Sequence, residues 1–124
     1  MKKLIIHRKK RFASALLPFW IITNVSKSDF MREHQISDDT SCDLDLTGHP
    51  VKRFDVKPDD YGEKIANGET LELDIEDDVS SVFAVSVHGL LSNEVLLDSK
   101  LDCYTLELST KGGFSKPSYP VFIV

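Results

Sequence analysis

The chain has little of what usually staples a small protein or equips it for chemistry. Its 124 residues hold two cysteines, Cys42 and Cys103, and no Cys-x-x-Cys. That excludes a disulfide framework and the paired-cysteine zinc and redox patterns. One long-range disulfide in a secreted protein and two buried free thiols in a cytosolic one both stay open. The thiols are favoured, because free cysteine is among the most buried residue types. The four histidines, His7, His34, His49 and His88, never fall at i, i+2 or i, i+4, so their spacing writes no metal site. There is no glycine-rich phosphate loop, no dinucleotide fingerprint and no Gly-x-Ser-x-Gly elbow. No cofactor is expected.

Long apolar runs are also missing. The stretch from Phe12 to Val25 is interrupted by Pro18 and falls short of the roughly 20 residues a spanning helix needs. Leu4-Ile5-Ile6 lies ahead of the charges at 8–11, which does not suit the basic leading region of a signal peptide. A cytoplasmic protein is the expectation, with membrane-associated and secreted forms as the alternatives.

What is present is an ordinary globular composition, 41% hydrophobic and 28% charged, enough for one self-supporting domain over 1–124. The net charge of −5 is unevenly spread. Lys2, Lys3, Arg8, Lys9, Lys10 and Arg11 stand in the first twelve residues with no acid among them. The rest of the chain carries the acid excess, which argues against nucleic acid as a partner. The basic end suits either the protein's own acidic face, the favoured reading, or an anionic membrane surface.

Period-two patterning dominates. Leu71, Leu73 and Ile75 alternate with Glu72, Asp74 and Glu76, a strand with one buried and one acidic face. Ahead of it, Asn67-Gly68 predicts a type I′ turn. Phe83, Val85 and Val87 alternate with Val82, Ala84, Ser86 and His88; Tyr104, Leu106 and Leu108 alternate with Cys103, Thr105 and Glu107. Lys3–His7, Phe19–Val25 and Tyr119–Val124 add apolar strands, and Leu44–Leu46 and Val51–Phe54 two short edge strands around the turn Thr47-Gly-His-Pro50. Phe19–Val25 is apolar enough to require burial on both faces or an interface. One short helix follows Ser26, with Ser28 as the expected cap and Phe30, Met31 and His34 as its apolar stripe. These elements predict an all-β fold with one short helix: a two-sheet antiparallel β-sandwich, Ig-like in outline, of seven or eight strands. A partly open barrel is the alternative. Residues 26–60 hold the helix and an acidic loop.

A family resemblance rests on three groups of residues. The first is Ile5, Arg8, Lys9, Arg11, Phe12 and Ser14; the second Gly62, Ile65 and Asn67-Gly68-Glu69; the third Gly89 and Ser92-Asn93-Glu94. Together they resemble small uncharacterised β-sandwich proteins of Gram-positive bacteria, with a basic first strand and an Asn-Gly-Glu hairpin. Set against that family's pattern, residues 26–60, the helix and an acidic loop, look like an insertion between the second strand and the Asn-Gly turn. The resemblance implies a fold and no activity, and no functional residue carries over from it.

Few constellations suggest chemistry. Asp43-Leu-Asp-Leu-Thr-Gly48 opens like a calcium loop, but its twelfth position is Phe54 where a bidentate Glu is needed. Ser86, His88 and Asp98 are near in sequence only, and Cys103 with His88 lacks a third, orienting group. A small hydrolase with a site on loops 37–50 and 88–93, using Cys42, Asp43, His49 or His88, is one alternative function. A membrane-proximal protein anchored by residues 1–25 is another. The favoured function is a non-catalytic binding or interaction module. Its candidate contact residues are Arg8, Lys9, Lys10, Arg11, Phe19 and Trp20, with Phe122-Ile123 as further anchors, and its partner a protein or a second copy of the chain.

Overall fold

Alternation along the strands decides which sheet face each residue enters. The computed structural model describes residues 1–11, 17–36, 46–47, 62–98, 100–112 and 118–123. In chain order the elements are β1 (Lys2–Arg8), β2 (Phe19–Ile22), α1 (Lys27–Glu33), β3 (Glu63–Ile65), β4 (Thr70–Ile75), β5 (Ser81–Ser86), β6 (Val95–Leu96), β7 (Cys103–Lys111) and β8 (Tyr119–Ile123). They form two four-stranded sheets, ordered β4-β1-β7-β8 and β3-β2-β5-β6. This is the two-sheet β-sandwich that the patterning predicts, and it is not a barrel. One pairing departs from the antiparallel rule: β1 runs parallel to β7, with Leu4 beside Tyr104 and Ile6 beside Leu106. The two strands are far apart in sequence, so no hairpin dictates their direction.

The main core lies between the sheets. Leu4 and Ile6 of β1, Tyr104 and Leu108 of β7 and Phe122 of β8 meet Phe19 and Ile21 of β2 and Val82 and Ala84 of β5. A second, smaller core sits on the far side of the second sheet. There Trp20, Ile22, Phe83, Val85 and Leu91 are covered by Phe30 of the helix, whose ring meets Phe83 edge-on at 5.4 Å. Every residue of β2 and β5 is therefore buried. Double-sided burial, not an interface, accounts for the unbroken apolar character of β2. Each fully buried large side chain contributes roughly 1.5–3 kcal/mol, so the helix is held mainly by its Phe30 anchor and its ends.

Those ends are well defined. Ser26, not Ser28, is the N-cap: its backbone is extended and its hydroxyl accepts from the Asp29 N–H at 3.2 Å. Glu94 accepts from the Lys27 N–H at 2.8 Å, tying the first turn to the chain before β6. The helix closes through Gln35 at φ 56°, with Ile36 N–H donating to Met31 O at 2.8 Å. This is a Schellman-type end with glutamine where glycine is usual.

The Asn67-Gly68 turn differs from its prediction. Glu69 N–H donates to Ala66 O at 3.0 Å and Gly68 has φ +76°, but Asn67 is not in the positive-φ region. That is the type II pattern, not type I′. A type I′ turn matches the twist of two paired strands, whereas β3 and β4 belong to different sheets. The turn thus carries the chain across the sandwich. Gly62, just ahead of β3, is required by close approach: a Cβ there would lie 1.9 Å from Ile21 O. Of the edge strands expected at 44–46 and 51–54 only Leu46 is described, exposed and in a turn with Thr47. The acidic loop 37–45, Cys42, Asp43 and His49 lie outside the described residues, as does most of the 26–60 stretch beyond the helix.

Candidate functional site

The basic cluster does not form one patch. In β1, Lys2, Leu4, Ile6 and Arg8 are buried, while Lys3 and His7 face solvent. Arg8, expected as a contact residue, is only 2% exposed. Its guanidinium donates to Ile65 O and Leu17 O, each at 2.9 Å, and lies 3.9 Å from the centre of the Phe19 ring. Burial lowers its pKa to about 10, with nearby Glu69 opposing the shift, so it stays charged at neutral pH. Phe19 and Trp20, expected as anchors, are core residues on opposite faces of β2. Lys9 pairs with Glu107 at 3.6 Å. Arg11 donates to Thr110 O, and its backbone is held from both sides by the Asn67 side chain at 3.0 Å. Of the six residues, Lys9 and Lys10 are exposed and Arg11 is half-buried. Phe122 is buried, and Ile123 is 45% exposed.

The expected basic–acidic pairing is present. β4 lies antiparallel beside β1, with Lys3 opposite Asp74 and Ile5 opposite Glu72. Lys3 reaches Glu72 at 3.9 Å, an exposed contact worth about 0.2–1 kcal/mol.

The four strand edges of the sandwich are unlike one another. β3 and β6 are three and two residues long, too short to template a partner. β8 is longer but closed. Val121 lies opposite Ser109, and Phe122 turns its backbone away from β7 to Asn93, whose amide accepts from Phe122 N–H at 2.8 Å and donates to Phe122 O at 3.0 Å. Two residues earlier on that edge stands Pro120, which has no N–H to offer. β4 is the long open edge. Arg8 N–H donates to Glu69 O at 2.9 Å, which fixes the alternation: Leu71, Leu73 and Ile75 turn their backbone groups to β1. Thr70, Glu72 and Asp74 then turn theirs outward, and β4 has no second strand partner among the described residues. The outer face of this first sheet is likewise uncovered by the helix. It presents Lys3, His7, Thr105, Glu107 and the exposed thiol of Cys103.

The catalytic combinations do not assemble. Ser86 accepts from the Leu90 N–H at 3.0 Å and serves the turn after β5. Asp98 lies by the opposite end of that strand, since Leu97 N–H bonds Ser80 O at 2.8 Å. The six residues between span roughly 20 Å. Cys103 is on the outer face of the first sheet, across the core from the turn that holds His88. Among the described residues no three His, Cys, Asp or Glu side chains are placed to hold a metal ion. A cleft of about 370 Å³ between the chain after β2 and the β4–β5 turn is lined by Thr23, Asn24, Ser26, Glu76, Asp78 and Ser81. No histidine, cysteine or lysine lines it, so it holds no nucleophile–base pair of the usual kind.

Sequence reasoning missed Arg8 as an interior residue, although the parity of Leu4 and Ile6 carries that signal. It also missed the two asparagine clamps, Asn67 and Asn93, which no periodicity marks. Compared with protein-family models, with curated proteins and with solved structures, the chain finds no match. Among the described residues no helix is long and apolar enough to cross a membrane.

Proposed function

We propose that the chain is a non-catalytic interaction module, on a sandwich Ig-like in outline, that acts in the cytoplasm by binding a protein partner through its first sheet. One observation carries this reading: the central strands β2 and β5 of the second sheet are buried on both faces, whereas among the described residues the first sheet has an uncovered outer face and one long open edge at β4. Exposed strand edges and faces of rigid sheets are common sites of peptide and protein docking. Phe19 and Trp20 are buried, so the reading takes the first sheet, not the aromatic pair, as the contact surface.

Site-specific photo-crosslinking in living cells tests this. A photoreactive side chain is placed at Thr105 on the outer face, at Glu72 on the β4 edge and at Lys100 as a control. A discrete adduct from Thr105 or Glu72, absent from Lys100, is expected. The same diffuse background from all three positions would refute the reading.

A further inference from the structure

We infer that the open edge of β4 accepts a partner segment as an added strand, and that this segment alternates basic and apolar residues. The inference rests on the interaction reading above and names its occupant. Its foundation is the outward row of backbone donors and acceptors on Thr70, Glu72 and Asp74, fixed by the β1–β4 register. A peptide laid along that row completes the hydrogen bonds that an edge strand leaves to solvent.

Side chains select the sequence of the segment. Thr70, Glu72 and Asp74 are exposed on the outer face, so the residues paired with them meet two carboxylates and favour lysine or arginine. Leu71 and Leu73 point to the sandwich interior and are only partly buried. The intervening residues of an added strand would lie beside them, where apolar side chains extend the core. The chain itself supplies the precedent: β1 already lies on the other edge of β4, with Lys3 against Glu72 on the outer face and Leu4 and Ile6 on the inner one.

The same charges exclude a second copy of the chain as the occupant. Antiparallel pairing of two β4 edges about Glu72 sets Glu72 against Glu72, with Asp74 near its counterpart's acidic face. Like charges directly opposite are destabilising. The acids therefore keep the edge from closing on itself while leaving it open to a strand of opposite charge.

The test uses the full chain and a synthetic peptide of about nine residues alternating lysine and valine. Controls are a peptide of the same composition without alternation and one with glutamate for lysine. Amide hydrogen exchange is followed by NMR. The alternating basic peptide is expected to slow exchange at Thr70, Glu72 and Asp74, with little change at Leu71 and Leu73. The Glu72→Lys/Asp74→Lys double variant should weaken binding by at least about tenfold. Glu72→Pro, which removes one outward N–H and leaves the β1 ladder intact, should also weaken it while the fold, read from the remaining amides, is unchanged. Equal protection by the non-alternating basic peptide would overturn the proposal in favour of diffuse charge attraction. Absence of protection by every peptide would overturn it too. A Thr105 crosslink obtained alongside either result would leave the broader interaction reading standing.

Discussion

Replacing Arg8 separates two roles, a surface cation and an interior plug. Its two nitrogens donate to Ile65 O and Leu17 O at 2.9 Å, and hydrogen bonds from a charged donor contribute about 1.5–3 kcal/mol each. Stacking on Phe19 at 3.9 Å adds about 0.5–2 kcal/mol. Against this stands desolvation. Burial lowers the Arg8 pKa to about 10, which sets a ceiling of about 3 kcal/mol on this cost. Arg8→Ala loses both bonds and the packing of the stem, and strands two carbonyls, for a net loss of about 3 kcal/mol. Arg8→Met keeps most of the volume and removes the buried charge, for a loss of about 1–2 kcal/mol. Arg8→Lys keeps the charge but lacks the fork that reaches two carbonyls, and should fall at or below the methionine variant. Urea unfolding followed by the fluorescence of Trp20, the sole tryptophan and 5% exposed, ranks the series. Lysine and alanine variants both within about 0.5 kcal/mol of the parent, the range of ordinary surface changes, would refute the interior role.

Two further substitutions follow from the same reasoning. The Tyr104 hydroxyl is buried without a hydrogen-bond partner; burial first, then Asp98, raises its pKa. A raised folded-state value means that stability is intact below the unfolded tyrosine pKa of about 10 and declines as the pH rises above it. Tyr104→Phe should therefore be neutral or stabilising at pH 7, and should flatten the decline above pH 10 in thermal melts. Gln35 closes the helix at φ 56°; Gln35→Gly should raise stability by about 0.5–1 kcal/mol, measured as a shift in the urea midpoint at constant slope.

Where a strand has one wet face, its pattern in the sequence was sufficient. Leu71, Leu73 and Ile75 against Glu72 and Asp74, and Tyr104 and Leu108 against Cys103 and Glu107, sit as the alternation requires. Phe19–Ile22 was legible as a strand, and its lack of alternation foretold a second covering layer without naming it. The helix supplies that layer through Phe30, a tertiary choice that local pattern does not carry. Arg8 was misplaced because its charge outweighed its parity: a period-two count from Leu4 and Ile6 puts it inside. The turn at Asn67-Gly68 was misassigned for a different reason. Turn type depends on whether the flanking strands pair, and that is decided by sheet membership. Asn93 illustrates the limit. Its side chain replaces a strand partner for Phe122, a contact 29 residues away that nothing adjacent to it in sequence signals.

The sign of the partner follows from how the basic end is consumed. Lys2 and Arg8 are buried at the two ends of β1. Lys2 donates to Val79 O at 3.2 Å near the Tyr104 ring, as Arg8 does to its carbonyls over Phe19. Long cationic stems can fill the ends of a core in this way, with the heads near the rim. Lys3 and Lys9 are paired with Glu72 and Glu107, and Arg11 with Thr110 O. Thus the first strand uses its positive charge to hold the fold together. The acidic excess of the remaining chain is only partly matched: Glu72 meets Lys3 at 3.9 Å and Asp77 the N-terminal ammonium at 3.1 Å, whereas Asp74, Glu76 and Asp78, exposed along and just beyond β4, have no ion pair among the described residues. The proposed partner would meet net negative charge at β4, the long edge left open among the described residues. Electrostatic steering then favours a basic segment and fades as salt screens exposed charges over a length of about 8–10 Å. Binding that strengthens with added salt would contradict this account.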